Sequence, residues 1–368
     1  MNLFFITTAL VYLSGILFFL IGLFRFSKGN SKAQPAVSVL IPARNEAQNI
    51  VKCVESILTQ NYPVEMVEII VLDDDSGDDT AELVRALSKA NSQVRLISVK
   101  NHNAAISPKK NAIIQGISTS ENEIIFTIDA DCEAPLNWLA AMMSFFDEKT
   151  GMVAGPVIYH RERNLFERLQ SLEFLGIVTA GAGSLGMNRP LIANGANLAY
   201  RKSVFLEVGG FSGFEHVASG DDDLLMQKIA KETGWKIRFA ADEQALIKTR
   251  PNENVKQFLN QRTRWASKGT IYPNSLITIF LVMIYAFYMM LFLSPLLVYF
   301  WGLSLPVASI IFLTKLLVDF AVVGRGCWLF RRVDLLKYFL IAEVLQIPYI
   351  LYVGARGTFG NYKWKDRI

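Results

Sequence analysis

Acidic side chains in this chain gather where buried runs end. Asp129 and Asp131 flank one alanine directly after the run Glu123–Ile128. Asp73, Asp74 and Asp75 follow Val67–Leu72, with Asp78 and Asp79 close behind. A third polar cluster, Pro42-Ala-Arg-Asn-Glu46, follows Val37–Ile41. Crowded carboxylates repel one another, and each costs stability unless a cation or a hydrogen-bond donor satisfies it. Residues two apart in an extended segment point the same way, so Asp129 and Asp131 can reach one hard cation. Mg²⁺ or Mn²⁺ suits them, since both take oxygen ligands and share their shell with substrate phosphates. The plainer reading of Asp73–Asp79 is a solvated turn in which Asp78 or Asp79 caps the next helix. Capping does not account for three consecutive aspartates, which leaves contact with a ligand.

Other chemistries fit poorly. The phosphate-cradling patterns Gly-x-x-x-x-Gly-Lys-[Ser/Thr] and Gly-x-Gly-x-x-Gly are absent where a strand–helix turn would carry them, against an ATPase or a dehydrogenase. Cys53, Cys132 and Cys327 are scattered and read as reduced thiols, and His102, His160 and His216 lie too far apart to suggest a histidine-built metal site. A net charge of +4 is too small to imply nucleic acid. The basic residues cluster beside apolar runs instead, which points to a membrane surface.

The elements that must position these residues follow from hydrophobic pattern. From Val37 onward, short β-branched runs alternate with amphipathic helices: strands at Val37–Ile41, Val67–Leu72, Val94–Val99 and Glu123–Ile128, helices at Ala47–Thr59, Thr80–Lys89 and around Lys109–Gly116. That alternation implies a mostly parallel sheet covered on both faces, with ligands beyond the carboxyl ends of its strands.

Apolar residues make up 52% and charged residues 19%, and the excess sits at the two ends. Leu3–Phe24 is an uncharged run of bilayer-spanning length, and Arg25, Lys28 and Lys32 follow it. It reads as a retained anchor whose following domain is cytoplasmic, which suits a bacterial inner membrane. Leu276–Phe300, Pro306–Val323 and Leu336–Val353 are further candidate spans or re-entrant segments, with Arg325, Arg331 and Arg332 on a connection that should stay cytoplasmic. A spanning last segment puts Lys363, Lys365 and Arg367 outside, against the positive-inside tendency. Lys315 and Asp319, four apart, can pair on one helix face and stabilise a bundle, or line a polar path for an acceptor headgroup.

The order of these motifs resembles the family 2 glycosyltransferases, inverting enzymes with the GT-A fold. More narrowly, it is similar to the membrane-embedded branch that includes hyaluronan, cellulose and chitin synthases and ceramide glucosyltransferase. Val37–Glu46, the Val-Leu-Asp-Asp-Asp-Ser-Gly-Asp after the second strand, and Lys109-Lys-Asn-Ala-Ile113 carry the resemblance. Gly220-Asp-Asp-Asp223 and Gln261-Arg-Thr-Arg-Trp265, a Gln-x-x-Arg-Trp signature, make it specific. Asp75 stands where the family usually has glycine, and Pro108 replaces the glycine before the lysine.

The resemblance implies an anchor over residues 1–25, a cytoplasmic GT-A domain over 31–252, and an interfacial helix over 253–270. About three spans over 275–355 and a basic tail over 356–368 complete it. It also implies roles. Asp74 contacts the donor base with Pro42 and Glu46 lining that pocket, and Lys109 lies near the nucleotide. Asp129 and Asp131 hold nucleotide and metal. Asp222, or Asp221 one position away, is the general base, although Asp221–Asp223 also suit a helix N-terminus. Gln261, Arg264 and Trp265 face diphosphate and acceptor, or merely anchor an interfacial helix. The expected reaction moves a sugar from a nucleotide donor, a UDP-sugar by expectation, to a hydroxyl of a membrane lipid or lipid-linked glycan. A processive polysaccharide synthase, a non-catalytic nucleotide-sugar-binding scaffold and a transporter are the competing readings.

Overall fold

The computed structural model describes residues 1–100, 105–272 and 275–360. The strands are β1 (Val37–Ala43), β2 (Val67–Asp73), β3 (Val94–Ser98), β4 (Ile124–Thr127), β5 (Thr150–Ala154), β6 (Val157–Tyr159), β7 (Leu198–Arg201), β8 (Lys236–Phe239) and β9 (Ile247–Thr249). The first helices are α1 (Asn2–Gly22), α2 (Ile50–Leu58), α3 (Thr80–Ala90), α4 (Pro108–Thr119), α5 (Trp138–Met143) and α6 (Leu165–Gly186). The rest are α7 (Lys202–Glu207), α8 (Asp223–Glu232), α9 (Val255–Ala266), α10 (Ser275–Trp301), α11 (Leu305–Leu329) and α12 (Phe339–Phe359). Two compact units result. One is Arg25–Arg161 with Ser184–Arg250; the other is Met1–Phe24, Glu162–Gly183 and the chain from Pro251.

The first unit is built on a seven-stranded sheet of order β3-β2-β1-β4-β7-β5-β8. Strands β1, β2, β3 and β4 are mutually parallel, while β7 runs antiparallel to both β4 and β5. Val37, Val39, Leu40 and Ile41 are fully buried, as a central strand covered on both faces requires. Register sets the site. Ala43 pairs with Asp73, and Leu40 with Thr127, so β1, β2 and β4 deliver their polar clusters to one edge. Helix α4 lies close on this sheet because Gly116 has no side chain; a Cβ there would sit 2.8 Å from Leu72 Cδ1.

Among the described residues, the second unit holds four helices long and apolar enough to cross a membrane: α1, α10, α11 and the segment Val333–Phe359. A buried polar knot joins all four. Lys315 on α11 pairs with Asp319 one turn on (2.8 Å) and with Glu343 of α12. Tyr12 of α1 donates to both Asp319 oxygens at 2.8 Å, and its ring stacks on Phe287 of α10, beside Tyr288. Burying charge in an apolar medium is costly unless it is paired and hydrogen-bonded, and here Lys315, Asp319 and Glu343 each have a partner.

Two expectations need adjusting. Gly324–Leu329, read as a connection, continues α11; the helix closes when Arg332 N–H donates to the Cys327 carbonyl (2.7 Å) around Arg331 in the left-handed region (φ 58°). The last span begins as a 3₁₀ turn, Val333–Tyr338, before α12. Lys363, Lys365 and Arg367 lie outside the described residues.

Lys315→Met strands two carboxylates in the bundle, so it should destabilise the protein in detergent by about 3–5 kcal/mol. Tyr12→Phe removes only hydrogen bonds and should cost about 1–3 kcal/mol. Denaturant unfolding followed by tryptophan fluorescence measures both; a Lys315→Met protein as stable as the parent contradicts the knot.

Candidate active site

At the carboxyl edge of the sheet, β4 ends at Thr127 and the chain turns back, Cys132 N–H donating to the Asp129 carbonyl at 3.0 Å. Asp129 and Asp131 therefore lie in a turn, which corrects the extended geometry read from their spacing. The cause is that β1 stops pairing with β4 at Leu40, with only Ile128 N–H still reaching the Leu40 carbonyl (3.2 Å). Asp131 is exposed and accepts from Thr249 Oγ1 at 3.3 Å. Asp129 is half-buried and faces a lysine.

That lysine is Lys109, in the first turn of α4 behind Pro108, whose fixed φ suits a helix start. Its Nζ lies 2.8 Å from Asp129 Oδ1 and 2.9 Å from Asp221 Oδ2. Burial acts to lower the Lys109 pKa, but the two carboxylates outweigh it and the net shift is upward, so the ammonium stays charged. The structure thus joins residues more than a hundred positions apart around one cation.

Asp221 follows Gly220, whose φ of 87° turns the chain into α8. Asp222 is the N-cap of α8: Oδ1 accepts from Asp223 N–H (2.7 Å) and Oδ2 from Gly195 N–H (3.2 Å). Asp222 is half-buried while Asp221 and Asp223 are buried, so of the three Asp222 is the more accessible. Gly195 was missed in the sequence. A Cβ there would stand 2.7 Å from Asp221 Oδ2 and 3.2 Å from Lys109 Nζ. The loop that precedes Asp221 is clamped by the buried Lys110 of α4, whose Nζ donates to the carbonyls of Phe214, Val217 and Ser219 at 2.7, 2.8 and 2.9 Å.

Beside the ends of β2 and β3 lies a cleft of about 420 Å³ lined by Asp73, Asp75, Asp78, Asp79, Glu82 and Arg85 among others. Asp73 is 7% exposed, and its Oδ1 has no hydrogen-bond partner among the described residues. Asp74, the expected base contact, turns instead to Arg44, which donates to its carbonyl (2.8 Å) and lies 3.8 Å from its carboxylate. Glu46 holds Asn49 Nδ2 at 2.8 Å, and Pro42 sits half-buried in β1. Capping of α3 is the work of Asp78, which accepts from Thr80 N–H and Ala47 N–H. Burial acts to raise the Asp78 pKa, but these hydrogen bonds prevail and hold it below the usual carboxylate range.

Gln261, Arg264 and Trp265 lie on α9, in the other unit. Their neighbour Arg262 organises that helix. It is 2% exposed, pairs with Glu173 of α6, and lies 4.2 Å from the Trp265 ring centroid. Tyr349 of α12 donates to the same Glu173 at 2.9 Å. Gln261 Oε1 accepts from Asn252 Nδ2 at 3.0 Å.

Two carboxylates, Asp129 and Asp131, are a donor set that fits a hard divalent ion sharing its shell with phosphates. Among the described residues no three His, Cys, Asp or Glu gather to hold an ion by themselves, and His102 lies outside them. Cys53 and Cys132 are buried nearby, and burial together with the neighbouring carboxylates pushes both thiols well up.

Compared with known proteins, the chain matches the family described as glycosyl transferase family 21 over residues 6–355. It is 30% identical over 241 residues to YdaM, a probable glycosyltransferase of Bacillus subtilis (strain 168), spanning 64% of this chain and 56% of that protein. The chain thus spans little more than half of that relative. Glycosyltransferase AglE of Haloferax volcanii is 29% identical over 241 residues, 64% of this chain and 73% of that one. Among solved structures, the mannosyltransferase PcManGT from Pyrobaculum calidifontis, in complex with GDP-Man and Mn²⁺, superposes with a TM-score of 0.56 at 18% identity, covering 94% of this chain and 98% of that one. At that identity the likeness carries the fold, which is of the GT-A type.

Gly195→Ala should destabilise the protein by about 1–3 kcal/mol through overpacking. Gly77→Ala, with nothing within 4 Å of its Cβ, should change stability by no more than about 0.5 kcal/mol. Equal unfolding midpoints for the two variants contradict the close contact.

Proposed function

Because the chain belongs to glycosyl transferase family 21, we propose that it moves a sugar, with inversion, from a nucleotide-sugar donor to a hydroxyl of a membrane lipid or lipid-linked glycan. It is a glycosyltransferase; the donor, acceptor and stereochemistry are our reading. The observation that carries the reading is the gathering of Lys109, Asp129, Asp221 and Asp222 at the carboxyl edge of the sheet, the edge that also carries the acidic cleft at the ends of β2 and β3. Four membrane-length helices among the described residues support an acceptor held at a membrane.

In this reading the nucleoside enters the cleft beside Asp73, with Pro42, Glu46 and Asp74 supporting its wall. Asp129 and Asp131 would hold Mg²⁺ or Mn²⁺, which when bound would supply the positive charge a departing diphosphate needs. PcManGT binds GDP-Man and Mn²⁺, which supports a divalent ion here. Lys109 offers its ammonium to phosphate oxygens. Asp222 takes the acceptor hydroxyl proton as that oxygen attacks the anomeric carbon, and the bond to the donor phosphate breaks. Asp221, ion-paired with Lys109, is the poorer base. Gln261, Arg264 and Trp265 serve diphosphate and acceptor, and Arg262 fixes the Trp265 ring. The basic residues Arg25, Lys28, Lys32, Arg325, Arg331 and Arg332 favour a cytoplasmic catalytic unit on a bacterial inner membrane.

Purified protein in detergent with Mn²⁺ should release one nucleoside diphosphate from a panel of nucleotide sugars, faster with membrane lipid extract. Asp222→Asn should lower that rate roughly 10²–10⁴-fold while donor binding persists; near-normal turnover sinks the base assignment. Excess chelator should abolish release, and full activity in its presence counts against the roles of Asp129 and Asp131.

A further inference from the structure

The acidic edge already contains a cation of its own. Lys109 Nζ is shared between Asp129, on the proposed metal side, and Asp221, beside the proposed base. Its main chain has little freedom: Pro108 precedes it, Ser107 N–H donates to the Glu215 carbonyl at 2.8 Å, and Lys110 is held by three carbonyls. Gly195 packs against the ion pair from one side. The Lys109 side chain is 19% exposed, so it retains an open side. The ammonium can therefore move, though only by exchanging its partners.

We propose that Lys109 is the resident cation of the donor site, and that it couples divalent-ion binding to nucleotide binding. This rests on the transferase reading above. An ion arriving alone at Asp129 meets an ammonium already bound to that carboxylate, and must displace it or sit beside like charge. A nucleoside diphosphate brings new oxygens. Lys109 then leaves Asp129 for the phosphates, and Asp129 passes to the ion at little cost. Because linkage is reciprocal, the ion favours the nucleotide by the same factor. Lys109 is in this respect a positioning residue: it sets who may occupy the site and in what company.

The test is Mn²⁺ titration of the full chain in detergent, reading free ion by electron paramagnetic resonance, alone and with saturating UDP or GDP. For the parent protein, nucleotide should tighten Mn²⁺ by about tenfold or more. In Lys109→Met, Mn²⁺ alone should bind about tenfold tighter, and the nucleotide effect should shrink by a similar factor. Lys109→Gln, which removes the charge but keeps a polar N–H donor, should behave the same way. A general charge effect raises affinity equally with and without nucleotide, leaving the coupling unchanged in both variants; that result overturns the proposal while the transferase reading stands. Parent protein whose Mn²⁺ binding responds to neither nucleotide overturns both.

Discussion

Carboxylates brought together in a poorly solvated place must be given cations or N–H donors, and much of this protein can be understood as the supply of both. At the edge of the sheet, Lys109 serves two aspartates and the Gly195 and Asp223 N–H groups serve a third. Each donor is itself held. Lys109 rides on a helix that approaches the sheet closely because Gly116 allows it. Gly195 is fixed through its carbonyl, which accepts from Thr127 Oγ1 at 2.7 Å at the end of β4. The ladder register that aligns β1, β2 and β4 thus fixes where the charges stand, and helix and loop follow.

The same rule governs the membrane-length helices under harsher conditions. In water an unpaired aspartate finds solvent; among apolar helices it finds only its neighbours. Lys315 answers two carboxylates and Tyr12 adds two hydrogen bonds, each group coming from a different helix except the Lys315–Asp319 pair. Arg262 repeats the arrangement at smaller scale, linking α9 to α6 and, through Glu173, to Tyr349 of α12. In both cases a polar cluster does what apolar packing cannot, which is to specify one mutual arrangement of helices.

The strand–helix alternation and the membrane runs were legible because they depend on local periodicity. The extended runs Val37–Ile41 and Val67–Leu72 are buried strands, and the clusters that follow them do share an edge. What escaped was set by contacts between distant segments. Asp129 and Asp131 were expected in extended chain, but the ladder that would extend it ends two residues earlier. Asp73 lines the cleft at the end of β2, while Asp74 meets Arg44 from the end of β1, a contact between segments that the local pattern does not contain. Gly195 carries no chemistry, so nothing in its type could reveal it. Glu162–Gly183 reads as part of a soluble stretch yet groups with the membrane helices. Its tie is Glu173 to Arg262, 89 positions apart, which no window of sequence contains.

The polar knot has a consequence for how the chain is made. Tyr12 emerges from the ribosome with the first helix, and 276 residues separate it from Tyr288. Throughout that interval α1 waits in the bilayer carrying only a hydroxyl, which lipid tolerates. The whole sheet unit is translated meanwhile. Lys315 and Asp319 then enter together, neutralising each other within one turn, so α11 can insert without help. Glu343 is different, for its partner lies on another helix. The last segment therefore inserts as an acid that must locate Lys315, and its arrival is the step that locks the bundle. The order of the chain thus runs from cheap to expensive: a lone hydroxyl first, then an internally neutralised pair, and last the acid whose partner is already in place.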